Sequence, residues 1–508
     1  MTIKKSIIAA ILILNTVKII AQQEQSLHFL QNVWQSNLTN PALVSDKKFQ
    51  IMLPSIYFNV NSKDFTINDL FKKDGEGKLN LNDVANRVQL QNRMDANVSI
   101  QSLGISYKLQ DKLTVSLYHA VNSNPSVNVN GDLVRLVANG NVPFLGKTVA
   151  FNSSGNGSVY SEIGLGAAYQ IQSHFNIGAR VKFLNGISAV FTEGDKLNVS
   201  FDKNDYSLGF DNDFKVLAYS FSKFKKINTA SDLVSQGFSG KNKGMAFDLG
   251  ASFKIGKISL AASVIDLAGS IKWQNDGKSY ASKGKFMYSG ANSNDFFEID
   301  SLSSESFKDT LKSIIGFIET DNPTFTQKLP TKIYLSASYQ LTEKLRLGAL
   351  LYNENGGLNV SHTGFAANAT YKVMKALELG ATVGLRNGSF NNLGMHFVAQ
   401  LGPVQLFGVT DNVISAFRPY DSKNANGRLG LTRRPLSVMS VMSCLKLMVR
   451  FQPRIFSALA GLPTSRHGSS GRMKRGSCFT YAFQSSPTAP NAVSTTLRTV
   501  CSSPVAKT

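Results

Sequence analysis

Six histidines are the residues of this chain best suited to metal binding or acid–base work: His28, His119, His174, His362, His396 and His467. A metalloprotease-type zinc site needs two histidines four positions apart on one helix face, and no two of the six have such a spacing. Hydrolysis by a nucleophilic serine needs a Ser–His pair held by a third, orienting group. His119, His362 and His396 each have a serine nearby, but serine is common throughout, so proximity singles none of them out. The three cysteines, Cys444, Cys478 and Cys501, all lie in the last 78 residues. A body without cysteine holds no disulfide framework and no thiolate metal site. No glycine-rich phosphate loop precedes a helix, and the Asn- and Asp-containing loops lack the spacing of a calcium loop. The sequence therefore offers no catalytic, no cofactor-binding and no metal-ligating residue, and the expectation is a protein that is not an enzyme and needs no cofactor.

The charge balance points the same way. The net charge of +21 over 508 residues invites a nucleic-acid reading. From Leu431 onward, however, there are 11 Lys and Arg and no Asp or Glu, so the rest carries 43 basic and 33 acidic residues, a net of +10. No basic stripe interleaved with aromatics remains, and nucleic acid is excluded as a partner. Charged residues make up 17% of the chain, below the roughly 25% of a soluble domain. The chain is rich in Gly (40) and Phe (33), a mixture suited to many strands joined by polar turns.

The N-terminus has the pattern of an export signal. Lys4 and Lys5 precede the apolar run Ile7 to Leu14, and Ile19-Ile20-Ala21 precedes Gln22-Gln23, which places cleavage after Ala21. The alternative, a membrane anchor, is disfavoured because Asn15 and Lys18 break a run already short of the ~20 residues that span a bilayer. No other stretch reads as a transmembrane helix.

The body alternates with period two. Asn97 to Tyr107, Leu113 to Tyr118, Thr331 to Leu341, Lys344 to Tyr352 and Leu377 to Leu385 each set apolar residues on one face and polar ones on the other. A phase shift interrupts the first near Gln101-Ser102. Such a strand faces a core in a soluble sandwich and lipid in a membrane barrel. A recurring pattern favours lipid. Near Tyr107, Tyr169, Phe253, Tyr339 and Tyr371 a strand ends, a very short polar turn follows, and a new alternating strand begins. Short turns at one end with aromatics at a fixed height above them make the periplasmic rim and girdle of a barrel. The uneven distances between these turns put long, variable connections at the other end.

Three segments break the strand pattern. Helical pieces are expected within Asp64 to Arg93, around Leu79, Leu81, Val84 and Val88, and over Asp132 to Ala138. The best-patterned helix is Leu302 to Ile318, with Phe307, Leu311, Ile314, Ile315 and Ile318 on one face. They are read either as plugs or loop caps of a barrel, or as surface helices that cover one strand edge.

Five motifs carry a resemblance. Gln35-Ser36-Asn37-Leu38-Thr39-Asn40-Pro41-Ala42, Asn242 to Ala251, Ser270 to Trp273, Leu329 to Leu335 and Leu401 to Asn412 together resemble an uncharacterised Bacteroidetes family of outer-membrane barrels. The first is distantly similar to the start of the PorP/SprF barrels associated with type IX secretion and gliding. The resemblance spans roughly 22–431 and implies one barrel of about 14 strands, like the PorP and fatty-acid-channel types. It implies no substrate and no catalytic residue.

The expected architecture is thus an all-β chain with a single transmembrane antiparallel β-barrel of about 14 strands (12 to 16), an outward apolar band about 25 Å tall, and short helical plug or loop segments. Residues 1–21 form the signal peptide, 22–49 an N-terminal segment in or across the lumen, 50–431 the barrel, and 432–508 a basic tail. Closure is expected between Asn424 to Leu431 and Gln50 to Val60, because an open edge in lipid leaves backbone groups unsatisfied. The tail holds eight of 16 arginines and six of 14 prolines, as a frameshifted reading frame would. A disordered basic extension is the alternative, and either way 436–508 is expected to pack poorly. The expected location is the cell outer membrane, and the expected partners are its lipid and other envelope or secretion proteins. Two functions fit: a surface or envelope-assembly component, and a passive channel or transporter for a small or hydrophobic molecule. A lumen filled by the N-terminal segment favours the first, and a continuous tunnel favours the second.

Overall fold

The computed structural model describes residues 25–433, apart from 31–32, 46, 63–64, 67, 69–80, 221–235, 237–240, 290–315, 358–361, 387–388 and 419–420, and beyond 433 only the paired strands Phe479–Tyr481 and Arg498–Val500. Fourteen antiparallel strands close into one transmembrane barrel. In chain order they are β1 (Phe49–Ser62), β2 (Gln91–Leu109), β3 (Leu113–Ser123), β4 (Ser154–Gln172), β5 (Phe175–Phe201), β6 (Asn242–Ile255) and β7 (Ile258–Trp273). There follow β8 (Thr331–Gln340), β9 (Leu345–Asn355), β10 (His362–Met374), β11 (Leu377–Arg386), β12 (Ser389–Leu401), β13 (Val404–Thr410) and β14 (Asn424–Arg433). Each pairs with the next. The ring closes where β14 meets β1, from Asn61 opposite Asn424 to Ile51 opposite Arg433. These are the two segments expected to close it, with the last strand running two residues past Leu431.

Period-two alternation separates lipid from lumen. Ile105, Leu165, Leu335 and Phe365 point outward and stay 38–55% exposed, while Gly104, Ser106, Ala168 and Ala366 beside them are buried. A ten-residue strand such as β8, rising ~3.3 Å per residue and tilted by ~40°, spans about 25 Å of bilayer.

Six very short connections define one rim: β2–β3, β4–β5, β6–β7, β8–β9, β10–β11 and β12–β13. Tyr107, Tyr169, Phe253, Tyr339 and Tyr371 each sit one to three residues before such a turn. The register carries them round that rim: Tyr107 pairs with Phe49, Leu113 with Tyr169, Phe175 with Phe253, Ile258 with Tyr339, and Leu345 with Tyr371. The sixth turn, at Gly402-Pro403, lacks the aromatic cue, since Phe397 lies four residues before the end of β12. The phase shift at Gln101-Ser102 is a bulge, where the β2–β3 register slips between Gln101 and Leu103.

On the long-loop side the wall branches. β5 pairs with β6 as far as Gly186 and beyond that with Leu208–Tyr219, which in turn pairs with Gly277–Tyr288. Trp273, Tyr219, Phe191 and Leu184 fill the fork. Short helices occur at Leu81–Arg87, within the segment Asp64 to Arg93, and at Gly131–Asn139, one residue longer at each end than expected. The second is capped by the Asn130 side chain, which accepts from Asp132 N, the usual way to satisfy an orphan N–H at a helix start. Of the helix expected over Leu302 to Ile318, residues 302–315 lie outside the described residues. Its last residue is not helical: Ile318–Asp321 is a strand on Lys278–Ala281, where an apolar-polar alternation meets an available sheet edge.

Candidate functional site

Residues 25–30 and 33–45 run inside the barrel. Two single-turn helices, Ser26–Phe29 and Trp34–Leu38, lead into a turn at Asn40-Pro41. Proline has no N–H for a strand ladder. Asn40 instead closes the turn by accepting from Ala42 N (2.8 Å) and donates its amide to the carbonyls of Ala251 and Ala262 (3.1 Å each). Ser263 donates to Thr39 O (2.6 Å), Arg346 to Phe29 O (3.1 Å) and Thr432 to Gln35 (3.0 Å). The amides of Gln25 and Ser26 donate to Asp411 (3.2 and 3.0 Å). Anchors from β6, β7, β9, β14 and the end of β13 surround the segment, so it crosses the lumen rather than lying along one wall. The wall is shaped to receive it. A Cβ at Gly178 would collide with Pro41 and Ala42, and one at Gly250 with Asn40 and Pro41. Only glycine lets the backbone come this close.

Charge is concentrated behind the plug. Arg180 and Lys182 of β5, Asp248 of β6, Asp266 of β7 and Lys332 of β8 project inward from four consecutive strands. Arg180 pairs with Asp248 (3.0 Å), Lys182 with Asp248 (3.1 Å) and Asp266 (2.7 Å), and Lys332 with Asp266 (3.1 Å). The Arg180 and Asp248 side chains are wholly buried. Buried charges persist only when paired and hydrogen-bonded, and here two of the hydrogen bonds reach the plug: Arg180 donates to Asn37 O (2.6 Å) and to the Asn37 side chain. Arg180 also lies 5.2 Å over the ring of Tyr118, against which Trp34 of the plug packs edge-on at 5.9 Å.

The plug separates two cavities. One, of about 20 Å³, is lined by Val33, Trp34 and Asn37 together with Gln50, Ser106 and Thr114, which lie one to three residues from the short-turn ends of their strands. The other, of about 150 Å³, is lined by Leu38 and Thr39 together with Asn122, Ser123, Asn124, Tyr160, Glu162, Lys182, Asp266, Lys332 and Glu354, toward the long loops. At ~10–15 Å³ per water, the larger has room for about ten waters or one small molecule. Its lining is mostly polar.

The histidines serve the structure. His28 bridges Thr39 (3.0 Å) and Ser336 (2.8 Å) and stacks on Tyr334, tying the plug to β8. His119 meets Ser102 at 2.8 Å, a Ser–His pair that satisfies the extra residue of the bulge. His396 lies 3.5 Å from Thr370 inside the barrel, and His174 is exposed in a turn. The side chain of His362 and all of His467 lie outside the described residues. Among the described residues no group of three His, Cys, Asp or Glu could hold a metal ion. The sequence reading passed over the ionic cluster. Its signal was a run of charges on the inward phase, Arg180 and Lys182 two apart on β5, with Asp248 directly opposite Arg180.

With fold and lumen described, comparison with known proteins places the chain. The profile of a family of unknown function (DUF5723) matches residues 41–411. The chain belongs to this family. No curated protein matches the sequence. Among solved structures, this DUF5723 member is similar to a TodX deltaS2S3 mutant monoaromatic hydrocarbon channel, at 11% identity over 79% of this chain and 95% of that one, with a TM-score of 0.42. It is similar to the P. putida toluene transporter TodX, at 12% identity over 79% and 94%, with a TM-score of 0.40. It is also similar to a Pseudomonas aeruginosa FadL homologue, at 11% identity over 82% and 99%, with a TM-score of 0.36. The strand count of the DUF5723 barrel rests on its own pairing register.

Proposed function

We propose that this protein is an outer-membrane channel or transporter for a small polar molecule, closed at rest by its N-terminal segment. The observation that carries the reading is the pair of cavities on opposite sides of the plug. They lie on the long-loop and short-turn sides of residues 33–39, a segment held to the wall by hydrogen bonds rather than by a strand ladder. The apolar outer face supports a bilayer setting, and the export-signal pattern expected for residues 1–21 supports the outer membrane. The polar lining favours a polar solute over a hydrocarbon. The test is planar-bilayer conductance of the intact chain against Asn37→Ala/Asn40→Ala, which removes the plug's side-chain hydrogen bonds with Arg180, Ala251 and Ala262. The intact protein is expected to be mostly closed and the variant to open more often.

A second reading, a non-conducting surface or envelope-assembly component of the PorP/SprF kind, is supported by the number of anchors on the plug. It becomes the better account if neither the variant nor a chain lacking 25–45 conducts.

A further inference from the structure

Three lysines stand together on the outer face of the barrel, at its long-loop end. Lys243 of β6 and Lys272 of β7 are directly opposite each other in the ladder. Lys328, on the short strand Phe325–Lys328 that pairs with the same end of β7, is one diagonal step away, opposite Ser270. All three are exposed, whereas Asn242, Ile271, Trp273, Gln327 and Leu329 beside them are buried, so the lysines hold the outward phase. Like charges directly opposite across a ladder, with Cβ atoms only ~5 Å apart, are destabilising. The protein supplies no acid to offset them. Lys243 donates to the neutral Asn185 side chain (3.0 Å), and among the described residues none of the three lysines belongs to an ion pair.

Their height explains what could. Below Lys243 the outward residues of β6 are Met245, Phe247 and Leu249, all 40–49% exposed, and then Phe253 near the short-turn rim. From Phe253 to Lys243 the strand climbs ten positions, which at ~3.3 Å per residue and ~40° tilt is about 25 Å, the height of a barrel's apolar band. The lysines therefore lie where acyl chains give way to headgroups. Directly beneath them Phe183 pairs with Met245, and Phe247 with Leu267. On β8, β9 and β10 the outward positions at this end are neutral: Thr331, Asn355 and Thr363.

We propose that Lys243, Lys272 and Lys328 bind the phosphate headgroup of an anionic lipid in the leaflet on the long-loop side, with its acyl chains lying on Phe183, Met245, Phe247 and Leu267. A phosphate monoester brings close to two negative charges and three acceptor oxygens, which relieves the repulsion between the facing lysines. Their aliphatic stems lie along apolar surface while the ammonium groups reach the headgroup level. The site is on the outer face, so it stands or falls independently of whether the lumen conducts.

Native mass spectrometry of the full chain in detergent tests this with two lipids of identical chains, dioleoyl phosphatidic acid and dioleoyl phosphatidylcholine. The phosphatidic acid is expected to bind at least tenfold more tightly. Lys243→Gln/Lys272→Gln/Lys328→Gln should lose that preference while the unboiled protein keeps its folded gel mobility. Lys344→Gln/Lys372→Gln/Lys375→Gln, which removes the same charge from exposed lysines at the short-turn rim, should retain it. Equal binding of the two lipids, a preference that survives the first triple variant, or one lost equally in both variants overturns the proposal. Displacement of the phosphatidic acid by an equal concentration of inorganic phosphate would make this a site for a free anion and overturn the lipid assignment.

Discussion

Asp248 is the residue on which the interior most depends. It accepts from Arg180 and Lys182 and from the backbone N–H of Asp266 (2.8 Å), so three groups of the wall converge on one carboxylate. Breaking a buried pair by removing one partner typically costs about 3–5 kcal/mol, because the other charge is stranded. Asp248→Ala should therefore lose stability on that scale in a reversible urea titration in lipid vesicles. A loss below about 1 kcal/mol, the range of an exposed pair, would mean that water reaches Arg180 and that the cluster is not buried as described. Little of this was legible in the sequence. A charge on the inward phase of a strand looks the same whether it meets water in an open pore or another charge in a filled one. The pairing of Arg180 with Asp248 joins residues 68 positions apart, and only the register decides it.

At the scale of elements, alternation and turns carried most of the information. Period two set the strands, the aromatic-then-turn pattern located five of six short connections, and a break in phase marked the bulge at Ser102. What failed was the end of an expected helix. Ile318 fits both a helical stripe and a strand alternation, and the edge offered by Lys278–Ala281 decided for the strand. The closing strand carries its own prediction. β14 completes its pairing with β1 at Arg433 and with β13 at the same residue, and Thr432 also secures Gln35 of the plug. A chain ending after Arg433 should keep the gel shift between unboiled and boiled samples that marks a closed barrel. Loss of that shift would show that residues beyond 433 take part in closure.

The whole molecule is a cylinder whose outside was more legible than its inside. Every second residue of a strand must suit lipid, so the outer face leaves a regular trace in the sequence. The interior is matched to a plug distant along the chain, and its trace is scattered over single positions such as Gly178, Gly250 and Arg346. If the protein is a channel closed by its plug, the plug must move for solute to pass. Ser26→Cys in the plug with Thr382→Cys on β11 puts two thiols where the side-chain oxygens already meet at 3.0 Å, so that small rotations bring the sulfurs to the ~2 Å of a disulfide. With Cys444, Cys478 and Cys501 replaced by serine, that bond is the only one available. Liposomes carrying this variant are loaded with a small polar solute, and its release is followed before and after oxidation. Release under reducing conditions that falls at least tenfold on oxidation and returns on reduction is the predicted result. Release that is the same in both states would show that solute passes without movement of the plug, or not through the lumen at all.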